Sequence, residues 1–289
     1  MQITAIGGGM AGVRETLKIP RAGHQLHVEV SGGEGVPLVL LHGFPDNLHL
    51  YDELMPHLGD RRVVRFDFLG WGRSDKPDGY PYTADNQTGD LAAVIDHLGL
   101  ERVVLVAHDA SGPPAIDWAL LYPHRVAALV LLNTYYHQTA ALRRPPAIAL
   151  YSTPLVRVAA RALAGRGSPL ALRLYAWQVG RFIRDDQRRA PLVRRLCDDF
   201  VAAQPAFWRL NDDLLGTVLT RRRRIPDLRR FDRPVRVIFG VEDRSLNPRV
   251  ARRFAELFPR ADLHLLGDAG HFVQVDQPER IAELVLSAG

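Results

Sequence analysis

An aspartate stands where a sharp strand-to-helix turn would present a nucleophile. Residues 103–107 form a continuous apolar run, Val-Val-Leu-Val-Ala, and His108-Asp109-Ala110-Ser111-Gly112 follows before a helical stretch. A strand that turns at once into a helix exposes the side chain at its apex, and small residues flank that apex because strand and helix cross closely. Ala107, Ser111 and Gly112 supply the small positions, which puts Asp109 at the apex. Ser111 lies two places beyond it, where packing asks for a small side chain, so it is not the nucleophile. Alone, Asp109 would read as a helix N-cap. Two other residues argue for chemistry: Asp243, in Gly240-Val241-Glu242-Asp243-Arg244, and His271, in Gly267-Asp268-Ala269-Gly270-His271-Phe272, each after a late apolar run. Nucleophile, acid, histidine is one of the chain orders in which triads are built. Glu242 competes with Asp243 for the role of acid. The backbone N–H of Ala110, just past the apex, and that of Phe44, after His42-Gly43, are the expected oxyanion donors. His42 and His108 read as packing or hydrogen-bonding residues beside the site.

A serine must lose a proton to attack, and its histidine serves that purpose. A carboxylate, with an ordinary pKa of about 4, is ionised at neutral pH without help. It attacks an sp³ carbon in line and forms a covalent ester, leaving His271, oriented by Asp243, to activate water against that ester. Attack on a carboxylic ester would give a high-energy anhydride, which argues against an esterase or peptidase.

The surrounding pattern supplies the elements such a site needs. Residues 24–31, 37–41, 62–67, 103–107 and 126–132 predict strands, with helices over 83–98 and 115–122. Alternation of this kind marks a mostly parallel sheet with crossover helices. From 135 to 229 the strand signals stop, and helical stretches are broken by Pro145-Pro146, Pro154, Gly165, Pro191 and Pro205. Alternation resumes with strands at 235–239 and 262–266 and helices at 249–257 and 278–286. The division is therefore a core over 1–134 and 230–289 with a helical cap at 135–229.

The chain has 289 residues, a formal charge of +5 and a single cysteine, Cys197. One cysteine forms no internal disulfide, and no apolar run approaches the roughly 18–20 residues of a membrane span. With no secretion signal at the start, the expectation is a cytoplasmic protein, not bound to membrane. The arginines are scattered and often adjoin acids, and the dense run Arg221 to Arg224 lacks interleaved aromatics, so it reads as solvated surface rather than a nucleic-acid site. Ile3 to Gly12 contains a G-x-G-x-x-G match, but with no proper strand before it and Pro20 soon after, it reads as a glycine-rich leader. No cofactor and no metal are expected. The partners expected are a small apolar organic substrate and water, with a homodimer open.

These residues make the chain resemble the α/β-hydrolase superfamily from about Val13 onward, and within it the epoxide hydrolases and haloalkane dehalogenases. Both groups use an aspartate at the elbow. His42-Gly43-Phe44-Pro45 is similar to the H-G-x-P element of epoxide hydrolases, and residues 67–77, Asp-Phe-Leu-Gly-Trp-Gly-Arg-Ser-Asp-Lys-Pro, are similar to a loop shared by both. The resemblance implies an α/β-hydrolase fold with an inserted cap. Dehalogenases typically hold the halide with a tryptophan after the nucleophile and an asparagine after the H-G pair; here those positions are Ala110 and Phe44. Epoxide hydrolases typically protonate the epoxide oxygen with two cap tyrosines. Tyr151 and Tyr175 are the expected donors, with His137, Trp177 and Trp208 as substitutes and Tyr135 and Tyr136 expected only to line the entrance. The resemblance therefore implies epoxide opening to a diol, with carbon–halogen hydrolysis or a catalytically silent small-molecule receptor as alternatives.

Overall fold

The structure is a computed structural model that describes residues 14–165, 167–198 and 200–288. The glycine-rich leader lies outside the described residues. An eight-stranded sheet runs in the order β1-β2-β4-β3-β5-β6-β7-β8. Its strands are β1 (Arg14–Arg21), β2 (His24–Ser31), β3 (Glu34–Leu41), β4 (Arg61–Phe66), β5 (Val103–Asp109), β6 (Val126–Thr134), β7 (Val235–Gly240) and β8 (Ala261–Leu266). β1 pairs antiparallel with β2, and β2 with β4; the pairings from β4 through β8 are parallel.

β1 has no counterpart in the sequence reading, where Pro20 marked a stop. The strand tolerates Pro20 because β1 is the sheet edge, where a missing N–H leaves no ladder bond unmade. β5 and β6 occupy the middle and are almost wholly buried, as strands covered on both faces must be, which explains their unbroken apolar runs.

Core helices α1 (Ala84–His97) and α2 (Gly112–Leu121) follow β4 and β5. Pro113 and Pro114 sit in the first turn of α2, where proline costs no helical hydrogen bond. Among the described residues six α-helices lie between β6 and β7: α3 (Pro146–Ser152), α4 (Pro154–Ala164), α5 (Pro169–Gly180), α6 (Asp186–Asp198), α7 (Phe200–Thr220) and α8 (Ile225–Leu228). Pro191 and Pro205 fall inside α6 and α7 rather than between helices. α9 (Pro248–Ala255), α10 (Val273–Asp276) and α11 (Pro278–Leu286) complete the core. No helix among the described residues is long and apolar enough to cross a membrane.

In the arginine run at 221–224, Arg222 and Arg223 are exposed as expected, but Arg221 and Arg224 turn back to the core. Arg221 is buried, not solvated. Its Nε donates to Asp117 Oδ2 on α2 at 2.8 Å and its Nη2 to Asp85 on α1 at 2.8 Å, while Arg224 Nη1 donates to Asp117 Oδ1 at 2.8 Å. Tyr136 donates its hydroxyl to the same carboxylate at 2.6 Å. Asp117 thus ties the inserted helices to the core. We expect Asp117→Asn to cost roughly 3–5 kcal/mol, because it strands a buried guanidinium. Urea denaturation checks this; a loss below about 1 kcal/mol would show that the guanidinium finds solvent without it.

Candidate active site

The site gathers at the carboxyl ends of the central strands. The chain leaves β3 for β4 on one side of it and later enters β5 on the other, so the sheet's order reverses between β3 and β5, and there a crevice opens. Asp109 ends β5 with φ +49°, in the left-handed region that a non-glycine residue adopts only under constraint. The constraint is visible around it. A Cβ on Gly112 would stand 1.9 Å from Thr134 Oγ1, so helix and strand close to a distance only glycine permits. Thr134 Oγ1 donates to the Asp109 carbonyl. Ser111 Oγ accepts the His108 N–H at 2.9 Å and lies 2.9 Å and 2.8 Å from the Leu41 and His108 carbonyls, so its hydroxyl is spent inside the turn.

Asp109 Oδ2 accepts the Phe44 N–H at 3.2 Å, and the adjacent Ala110 N–H acts to lower the proton affinity of the same carboxyl group. Of the two backbone donors expected for an oxyanion, the Phe44 N–H holds the resting carboxylate. Burial pushes Asp109 above the ordinary carboxylate range, and the His271 charge and these two N–H groups pull it back.

Asp243 Oδ2 lies 2.7 Å from His271 Nδ1 and accepts from Asn133 Nδ2 at 2.8 Å. Its Oδ1 accepts the N–H groups of Ser245 and Leu246 at 2.8 and 2.9 Å. Burial acts upward on this acid, but the His271 charge and these bonds outweigh it and hold it at about 2. His271 is moved the other way: burial acts downward, Asp243 and Asp109 act upward, and the imidazole stands at about 9. Glu242 is elsewhere, paired with Arg184 at 2.7 Å on the surface.

The neighbouring histidines support this arrangement. His42 Nδ1 bonds the Gly43 carbonyl at 2.8 Å and its Nε2 accepts the Phe68 N–H at 3.1 Å. His108 donates from Nε2 to the His271 carbonyl at 3.0 Å and packs its ring against that of His271, centroids 4.7 Å apart. Both rings are held neutral by burial.

A cavity of about 250 Å³ lies above Asp109 and His271, walled by Phe44, Leu142, Ile148, Val179, Phe182 and Val218. The proton donors expected from the cap are not brought into it. Tyr175 donates its hydroxyl to the Pro45 carbonyl at 2.9 Å and stacks on Phe200. Tyr151 packs edge-on against Phe207, in a separate pocket with Trp208. Trp208 lies beside the Arg161 guanidinium, and Trp177 is over half exposed under Arg181. His137 is half-buried and does not line the cavity. The residue that does is Tyr135, which the sequence reading assigned only to the entrance. The reason is positional: β6 continues through Thr134, so the next residue projects over its neighbour β5 rather than into the cap.

Among the described residues no cluster of His, Cys, Asp or Glu is arranged to hold a metal ion. The sequence does not single out Asn133 or Asp46 as site residues; Asn133 lies at the end of β6 and Asp46 in the loop just past the His42-Gly43-Phe44-Pro45 motif, and both are buried polar residues.

Residues 36–278 match the family model of the alpha/beta hydrolase fold. The chain belongs to the α/β-hydrolase-fold family. This α/β hydrolase is 28% identical over 266 residues to haloalkane dehalogenase 2 of Mycobacterium tuberculosis, spanning 89% of each chain. It is also 28% identical to a cis-3-alkyl-4-alkyloxetan-2-one decarboxylase of Shewanella oneidensis, over 91% of this chain and 84% of that protein. The fold superposes on the haloalkane dehalogenase of Agrobacterium tumefaciens with a TM-score of 0.77 at 23% identity, over 95% of both chains.

In this hydrolase the His271 charge depends first on Asp243, so Asp243→Asn should lower the imidazole from about 9, since burial is then opposed only by Asp109 and Asp46. The sign for stability follows. The raised value stabilises the parent fully below about pH 6.5, and that contribution is lost as pH rises through about 9. NMR titration of His271 in parent and variant reads the shift; an unchanged midpoint would remove Asp243 as its cause.

Proposed function

We propose that the hydrolase works through a covalent ester on Asp109, and that the bond it breaks is the carbon–oxygen bond of an epoxide. What carries this reading is the state of the elbow carboxylate. It is presented at the cavity floor, held by the Phe44 N–H, beside a histidine that Asp243 orients. Attack on an epoxide carbon gives the ester and an alkoxide. Tyr135, the phenol lining the cavity, protonates that oxygen; burial and the Asp109 charge push its own proton affinity upward, so it is a phenol and not a phenolate at neutral pH. Esterification removes the Asp109 charge that helped raise His271, so the imidazole releases its proton to solvent and, now neutral, deprotonates water, which adds to the Asp109 carbonyl carbon. The Phe44 and Ala110 N–H groups now receive the oxyanion, each supplying ~3 kcal/mol in comparable sites.

The relatives supply a second reading. Proteins named haloalkane dehalogenases share 26–28% of their residues with this chain, and the same ester chemistry displaces a halide. Against that reading stands the absence of an indole or asparagine among the residues lining the cavity; besides His271, Gln138, Gln178, Arg143 and Arg144 are its lining side chains with N–H groups. The oxetanone named for the Shewanella relative is, like an epoxide, a strained oxygen heterocycle. A silent receptor has no use for a charged Asp243–His271 pair beneath its cavity.

Two variants separate the half-reactions. With His271→Gln the ester should form and persist, seen by mass spectrometry as an adduct on the peptide containing Asp109; with Asp109→Ala no adduct should form. A His271→Gln protein that turns over at the parental rate would overturn the mechanism. Tyr135→Phe should slow single-turnover alkylation by an epoxide by ~10²–10⁴-fold, as for other positioned proton donors, while leaving alkylation by a haloalkane within a few-fold. Equal effects on both would remove Tyr135 as the acid.

A further inference from the structure

The cavity floor carries a second carboxylate, and nothing in the ester mechanism so far uses it. Asp46 follows the Phe44-Pro45 turn, is 2% exposed, and lines the same cavity as Asp109 and His271. Among the described residues neither of its carboxylate oxygens has a hydrogen-bond partner. His108 Nδ1, also unpartnered, is 4.0 Å from Oδ2, too far for a direct bond. The tyrosines facing Asp46 are committed elsewhere, Tyr51 to the Leu41 carbonyl at 2.8 Å and Tyr175 to that of Pro45 at 2.9 Å. A buried carboxylate with no protein donor is satisfied by what enters the cavity.

Its position decides which species that is. A Cβ on Gly43 would stand 2.8 Å from Asp46 Oδ2 and 2.9 Å from Asp109 Cβ, so the two carboxylates flank one glycine. In an in-line displacement the leaving atom departs on the face of the carbon opposite Asp109. Asp46 stands beside the nucleophile, and so on the side of the ester rather than the leaving group. It cannot serve the epoxide oxygen or a halide. It can serve the water that attacks the ester.

We propose that Asp46 holds the hydrolytic water: one O–H donates to Asp46, the other to His271, and a lone pair faces Asp109 Cγ. The role rests on the covalent-ester reading. In the resting site, burial and then the Asp109 charge push Asp46 up to about 7, with His271 pulling it back. Esterification neutralises Asp109 and removes that repulsion, so the negative charge passes to Asp46 when water must be held. His271 takes one proton and returns it to the departing alkoxide as the Cγ–O bond to the alkyl group breaks. The second water proton leaves as the new Asp109 acid ionises, and Asp46 takes it; with an epoxide that proton restores the Tyr135 phenol, and with a haloalkane it is released to solvent.

The test is single-turnover kinetics with styrene oxide and with 1,2-dibromoethane, following ester formation and decay by mass spectrometry. Asp46→Asn should alkylate within about threefold of the parent and lose about 10²-fold in ester decay, the scale of a misplaced reactant. Asp46→Glu should recover part of the decay, which a packing defect would not allow. If Asp46→Asn does not fold, Asp46→Ser is read the same way. An ester that decays at the parental rate, or equal slowing of both steps, overturns the role of Asp46 while leaving the ester mechanism intact. If His271→Gln traps no ester with either compound, the ester mechanism fails, and the water site fails with it.

Discussion

Everything at this site depends on one strained turn. Asp109 is held at positive φ, a conformation that costs a non-glycine residue about 1–3 kcal/mol and survives only where its surroundings over-determine it. Here the surroundings are specific. Gly112 lets α2 close onto Thr134, Ser111 spends its hydroxyl within the turn, and Gly43 brings the β3 loop against the Asp109 side chain. The result is a carboxylate that cannot retreat into the sheet and meets two backbone N–H groups aimed from adjacent strands.

The second constraint is electrostatic. Asp109, Asp46, Asp243 and His271 share a largely desolvated floor, and burial disfavours charge on every one of them. The site resolves this by unequal donation. Asp243 receives four hydrogen bonds and stays charged; Asp109 receives one, from Phe44 N–H; Asp46 receives none among the described residues. Environments that drive chemically identical groups apart in proton affinity divide acid, base and nucleophile among them. The ring of His108, neutral and bonded to the His271 backbone, keeps the imidazole in register without adding charge.

The inserted helices close this floor from water. Phe44 stacks on Phe207 of α7 at 5.1 Å, and Phe182 packs on the His271 ring at 4.9 Å, so the cavity walls are assembled from both parts. Asp117, with Arg221 and Arg224, fixes the far side of the insertion to the core. An apolar enclosure strengthens the interactions below it, because field lines cross a low-dielectric medium.

The sequence by itself located the strands β2 to β8, the elbow turn and the positions of Asp109, Asp243 and His271, because these are written in local patterns: unbroken apolar runs, small residues around an apex, and a glycine turn before a histidine. Its reach ended where contacts are long-range. β1 escaped notice because Pro20 is a breaker except at an edge, and being an edge is a property of the assembled sheet. The run at 221–224 looked solvated because its counter-ion, Asp117, is about a hundred residues away. The choice of Tyr151 and Tyr175 over Tyr135 followed from their place in the insertion, whereas the facing of each phenol is set by helix packing that periodicity does not encode. Asp46 was silent for the same reason. A carboxylate after a proline turn is ordinary until the fold buries it without a donor beside a second carboxylate, and only tertiary structure decides that.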